Sequence, residues 1–246
     1  MRIFLYRLGR VYLAVKNALV YLFCEKRRGI DFARMRRPYG AHSDSLWYET
    51  ITARQIQSIL RGYAGEEKRL LDVGCGKGYF IYCAKQAGFR FVDGVELNDG
   101  LYRVAQRNMR ALHMKDVRLF LQDAANFAGL DGYDILYMFN PFGMLTMHRF
   151  ARSVRESLAR KPLRLVVIYA HPMQRGQWEA LPEFRLKETR TVKRFPRNIT
   201  VFYYESTCKI VDKSFRETLA GCLGEARQVT GGTGDGGASE TKYTEQ

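Results

Sequence analysis

Between Arg69 and Thr207 the hydrophobic positions switch repeatedly between two periods. The short apolar runs "RLLDVG", "RFVDGVEL", "VRLFLQD", "YDILYMFN" and "LRLVVIYA" read as five buried strands. Segments of helical period separate most of them. "YFIYCAKQAG" is a helix ended by Gly88, and "GLYRVAQRNMRALHM" places Leu101, Val104, Ala105 and Met109 on one helical face. A further helix is expected over about 147–158 and a short one near 174–181. "FRLKETRTVKRF" and "ITVFYYEST" then alternate as two strands, joined at Pro196-Arg197-Asn198. Thr50 or Thr52 is placed to cap a helix over about 53–63, with Ile56, Ile59 and Leu60 facing inward. Strands alternating with helices predict an α/β fold. The expectation is a Rossmann-like, mostly parallel seven-stranded sheet with helices on both faces and a closing β-hairpin that sets one strand antiparallel.

The first 28 residues follow a different pattern. Phe4, Leu8, Val11, Val15, Ala18 and Leu22 share one helical face, while Arg7, Arg10 and Lys16 interrupt the apolar run. The run is too short for a spanning helix and lacks a signal-peptide cleavage site. An amphipathic basic helix of this kind can pack on its own domain, self-associate through residues 3–24, or lie on an anionic membrane surface. The expected organisation is residues 1–44 as amphipathic helix and lid segment, 45–207 as the main domain, 208–228 as a helical extension and 229–246 as a disordered Gly-rich tail.

Charge sharpens this division. Residues 1–40 and 151–200 each carry a net charge of +8, and the remainder is close to neutral. Basic flanks favour an anionic partner such as nucleic acid, acidic lipid or acidic glycan. Five scattered cysteines without paired spacing indicate a reducing compartment, so a cytoplasmic location is expected, with peripheral attachment at the inner face of the membrane as a variant. The four histidines form no ligand spacing, so no metal is expected.

Chemistry concentrates where strands end. After Asp72, "LLDVGCGKGYF" gives Gly74, Gly76 and Gly78 before a helix. Tyr79 stands where a dinucleotide fingerprint needs glycine, and Lys77 is followed by Gly78 rather than by the Ser or Thr of a Walker loop. Glu96 ends the second strand, where a carboxylate can accept both hydroxyls of a ribose. Gln122-Asp123-Ala124 ends the third, suited to the amine of an adenine. The fourth runs into Asn140-Pro141-Phe142-Gly143. His171-Pro172 follows the fifth, where a histidine is more often structural than a base. Lys77 and Tyr79 are expected at the rim or on the helix, and Trp47 in the core.

In this order, these residues resemble the class I S-adenosylmethionine-dependent methyltransferases over about residues 45–207. The resemblance implies that Gly74, Cys75, Gly76 and Gly78 hold the methionine part of S-adenosylmethionine. Asp72 would fix that loop or meet the cofactor amino group, Glu96 with Leu97 would bind the ribose, and Asp123 with Ala124 the adenine. "LWYETIT" resembles the Tyr-x-x-Thr lid segment of the non-SET lysine methyltransferases, making Tyr48, Glu49 and Thr50 lid candidates. Asn140, Pro141 and Phe142 resemble the (Asp/Asn)-Pro-Pro-(Tyr/Phe) motif of amino-methyltransferases, with one proline fewer. They are closer still to bacterial proteins with Asn-Pro-Phe on strand four. The implied reaction is in-line N-methylation of a protein, nucleic acid or small molecule. The alternatives are O-methylation of a small molecule or glycan, and cofactor binding without turnover in a membrane- or partner-associated protein.

Overall fold

The computed structural model describes residues 11–34 and 51–207, except 13, 66, 163, 195 and 196. Tyr48, Glu49, Thr50, Trp47, Phe4, Leu8 and the expected C-terminal extension and tail all lie outside the described residues. Helix α1 covers residues 11–12 and 14–20, and Tyr21–Glu25 continue it as a wider turn. The remaining helices are α2 (Ala53–Leu60), α3 (Tyr79–Gln86), α4 (Asp99–Ala111), α5 (Met144–Arg160) and α6 (Gly176–Glu179).

The strands are β1 (Arg69–Val73), β2 (Phe91–Glu96), β3 (Leu119–Leu121), β4 (Ile135–Phe139), β5 (Val166–Ala170), β6 (Phe184–Val192) and β7 (Ile199–Ser206). They form one sheet in the order β3-β2-β1-β4-β5-β7-β6. Strands β1 to β5 pair in parallel, and β7 runs antiparallel between β5 and β6. This is the seven-stranded sheet and closing hairpin expected from the alternation of periods.

Each central strand feeds both faces of the sheet. Leu70, Ile135 and Ile168 enter one core, and their neighbours Leu71, Leu136 and Val167 enter the other. That is why these strands read as unbroken apolar runs. Ile56 and Ile59 from α2 and Ile81 and Ala84 from α3 cover the first face. Met147, Phe150 and Val154 from α5 cover the second. Thr52, not Thr50, is the cap of α2: its hydroxyl accepts from Gln55 N, and the Gln55 side chain accepts from Thr52 N at 2.8 Å. This reciprocal pair satisfies two backbone donors that the first turn leaves open.

Three element boundaries differ from those expected. Helix α5 begins three residues earlier, directly after Gly143, and β3 is only three residues long. Helix α2 stops at Leu60, because Arg61 turns to an extended backbone.

Candidate active site

Parallel register brings the strand ends to one edge. Val73 pairs with Val95 and Met138, Glu96 with Leu121, and Phe139 with Ala170. Gly74, Glu96, Gln122, Asn140 and His171 therefore line the carboxyl edge of adjacent strands, where open α/β sheets bind ligands.

The glycine loop is shaped by positive φ values at Gly74, Gly76 and Gly78. Its amides are held in place: Gly74 N and Cys75 N both donate to Val95 O, and Gly76 N donates to Glu96 Oε2 at 2.8 Å. Glu96 Oε1 accepts from Asn98 N, also at 2.8 Å. Glu96 is thus a rigid, buried carboxylate that still has lone pairs for hydroxyl donors. Burial pushes its carboxyl above the usual range, against the lowering effect of those backbone N–H bonds. Leu97 follows it, half-buried. Cys75 is buried against Gly94, where a Cβ would meet the cysteine at 2.8 Å. Cys75 is therefore a packing residue whose backbone shapes the loop, and burial raises its thiol well above the ordinary value.

Asp72 is buried, and its Oδ2 has no hydrogen-bond partner among the described residues. Burial, reinforced by the Glu96 charge, pushes its carboxyl well above the usual range. No bond from this oxygen fixes the glycine loop. A buried, unpartnered acid instead fits an ammonium group arriving from outside the chain.

Asp123 is more committed than its sequence position suggested. Its Oδ1 accepts from Ala125 N at 2.9 Å, and its Oδ2 from Arg149 at 3.1 Å. It caps its own turn and pairs with α5, with Ala124 buried beside it. An adenine amine there would share an oxygen already bonded to Arg149.

The strand-four motif separates into distinct roles. Asn140 adopts φ +39°, so β4 ends at a sharp left-handed turn that asparagine tolerates. Tyr169 OH donates to Asn140 Oδ1 at 3.1 Å while accepting from Gln174 N at 3.1 Å. Because the backbone N–H occupies the phenol's lone pair, its proton goes to Asn140. The amide oxygen is thereby oriented and keeps a second lone pair. Pro141 packs against the glycine loop: a Cβ on Gly74 would stand 2.8 Å from Pro141 Cβ. Phe142, a candidate through the same motif, belongs to the core of the sheet face that α5 covers. Its ring is buried edge-on against Phe150, 5.7 Å between centroids.

His171 is exposed, also at positive φ, and stacks on Phe139 with ring centroids 6.2 Å apart. Its backbone N–H donates to Thr200 O, which fits a turn residue.

Lys77 departs furthest from expectation. It is fully buried, not at the rim. Its Nζ meets Asp31 Oδ1 at 2.8 Å and donates to Arg34 O. Asn108 completes this latch, accepting from Asp31 N at 2.8 Å and donating to Lys77 O at 3.0 Å. Tyr169, and Asp31 and Asn108 as partners of Lys77, were not singled out in the linear sequence, since their roles depend on which strand or segment lies alongside.

A sheet of this order, with a glycine turn after β1 and an acid at the end of β2, is a Rossmann-like α/β fold with a ligand-binding edge at its strand ends. The family described as "Methyltransferase domain" matches residues 70–161. Two solved structures share the fold. One is TrmN from Thermus thermophilus, 22% identical with a TM-score of 0.53, covering 64% of this chain and 49% of that one. The other is a protein in the NADB-Rossmann superfamily from Streptococcus agalactiae, 15% identical with a TM-score of 0.51, covering 74% and 87%. The chain thus spans about half the length of the TrmN structure. No curated protein matches the sequence.

S-adenosylmethionine is the cofactor that the matched methyltransferase family implies. The residues present fit it: an orphaned buried carboxyl at Asp72 for the amino group, a turn with glycine at 74, 76 and 78, and a fixed carboxylate at Glu96 for a diol.

Proposed function

We propose that this chain transfers the methyl group of S-adenosylmethionine directly to a nitrogen acceptor oriented by Asn140. The cofactor supplies a methyl carbon made electrophilic by its sulfonium. Such a displacement depends on alignment more than on strong acid or base. Asn140 Oδ1 and the Pro141 carbonyl each accept an N–H bond from the acceptor, which directs the nitrogen lone pair away from them. Tyr169 holds the amide so that this acceptor geometry is built before substrate arrives. Acceptor nitrogen and methyl carbon join as the carbon–sulfur bond breaks with its electrons left on sulfur, and the surplus proton leaves to solvent.

The observation that carries this reading is the fixed amide oxygen of Asn140, next to the Pro141–Gly74 contact that joins the acceptor motif to the cofactor turn. Incubation with methyl-tritiated S-adenosylmethionine and fractionated lysate tests it. Label recovered on nitrogen when the labelled fraction is broken down and chromatographed, and lost with Asn140→Ala while cofactor still binds, supports the reading. Label on oxygen, as ester or ether, or bound cofactor with no label in protein, RNA or small-molecule fractions, overturns it.

A further inference from the structure

Six of the eleven large apolar side chains exposed among the described residues fall within residues 11–23. Val11, Val15, Leu19 and Leu22 repeat along one helical stripe, flanked by Tyr12 and Phe23, and Phe23 is 75% exposed. Ala14 and Ala18 are exposed as well, whereas Asn17 and Val20 are half-buried. The helix thus presents its greasy side outward, the reverse of a helix that packs on its own domain.

The charge around this stripe has one sign. Lys16, Lys26, Arg27 and Arg28 are exposed. The one acid of the segment, Glu25, is buried and accepts from Phe32 N and Ala33 N at 3.0 Å each. The preceding ten residues add Arg2, Arg7 and Arg10 to the sequence. No helix among the described residues is long and apolar enough to cross a membrane.

We propose that residues 11–28 form an interfacial helix that docks this protein onto an anionic lipid bilayer. Its apolar stripe enters the headgroup–acyl boundary, and its cations meet acidic headgroups. A second copy fits less well, because pairing the stripes would bring like charges together. The helix is not a loose tether. Glu25 binds the following turn, and Asp31 is latched to Lys77 inside the glycine turn. Docking therefore holds the cofactor edge of the domain at the lipid surface, where an amphiphilic acceptor would be presented.

Co-sedimentation of the full chain with vesicles tests this. Phosphatidylcholine vesicles with roughly 30% phosphatidylglycerol should bind it at least about ten-fold more tightly than phosphatidylcholine alone, with affinity falling as salt rises. The double variant L19E/F23E should lose roughly ten-fold or more of that binding, with unchanged affinity for S-adenosylhomocysteine showing that it folds. Equal binding to both vesicle types, or L19E/F23E binding like the parent, overturns the proposal. So does a dimer in ultracentrifugation that L19E/F23E dissociates without any vesicle binding by the parent.

Discussion

Gly74 and Pro141 meet across the sheet edge so closely that a Cβ on the glycine would stand 2.8 Å from the proline Cβ. Gly74 also has φ +77°. Both facts forbid a side chain at the junction of cofactor turn and acceptor motif. Gly74→Ala should cost about 1–3 kcal/mol of stability through backbone strain alone. It should also weaken S-adenosylmethionine binding, because relief of the clash must displace the loop or Pro141. Thermal melting and calorimetry check this; an alanine variant with unchanged melting and affinity would show that the contact is not constraining.

The Lys77–Asp31 pair is buried on both sides, at 2.8 Å. Removing Lys77 leaves buried Asp31 to the partly exposed Arg34, which it meets at 2.8 Å, so Lys77→Met should destabilise by about 1–3 kcal/mol. The double variant D31N/K77M should recover part of that loss, which a double-mutant cycle by urea unfolding measures.

The same pair sets an acid limit. Burial pushes the Asp31 carboxyl up, but hydrogen bonds from Arg34 and Lys77 outweigh it and bring the net value below the ordinary range. A depressed carboxyl stabilises the fold above its unfolded value of about 3.9 and loses that contribution as pH falls through the folded value. Acid unfolding below about pH 4 should therefore be less steep in Asp31→Asn than in the parent. Parallel acid titrations followed by fluorescence give the comparison.

Asp72 works in the opposite sense. Burial and the Glu96 charge raise its carboxyl, so the unliganded protein holds that proton to higher pH than an exposed aspartate does. An arriving ammonium favours the ionised form, so cofactor binding should release a proton and strengthen as pH rises. Calorimetry in buffers of different ionisation enthalpy would then give different binding heats, and Asp72→Asn would remove the difference. Identical heats in the parent would place the amino group elsewhere.

Tyr169 is a positioning residue in this scheme, with its hydroxyl pushed up to about 12 by burial, eased by the Gln174 N–H. Tyr169→Phe removes the donor that fixes Asn140. The expected result is a fall in kcat of roughly ten-fold with little change in cofactor KM. A purely structural role would instead lower melting temperature and raise KM for the cofactor.

How much of this was legible in the sequence follows from what each feature depends on. Strand and helix identity came through because burial on both sheet faces leaves continuous apolar runs, as in Val166–Ala170. Gly74, Gly76 and Gly78 could be placed because their positive φ values permit little else. Phe142 could not, since an aromatic after a turn reads the same whether it faces ligand or Phe150. Lys77 was misread because a lysine between glycines suggests a rim, and its partner Asp31 is 46 residues away in sequence. Tyr169 became a neighbour of Asn140 only through the β4–β5 register.

The most direct measurement is a calorimetric titration of the full chain with S-adenosylmethionine and with S-adenosylhomocysteine. The turn at Gly74–Gly78, Glu96 and Asp72 predict one saturable site with a dissociation constant of roughly micromolar order, weakened at least about ten-fold by Glu96→Ala, which removes the diol acceptor and unpins Gly76 N. Absence of binding at millimolar concentrations of either ligand would contradict the account.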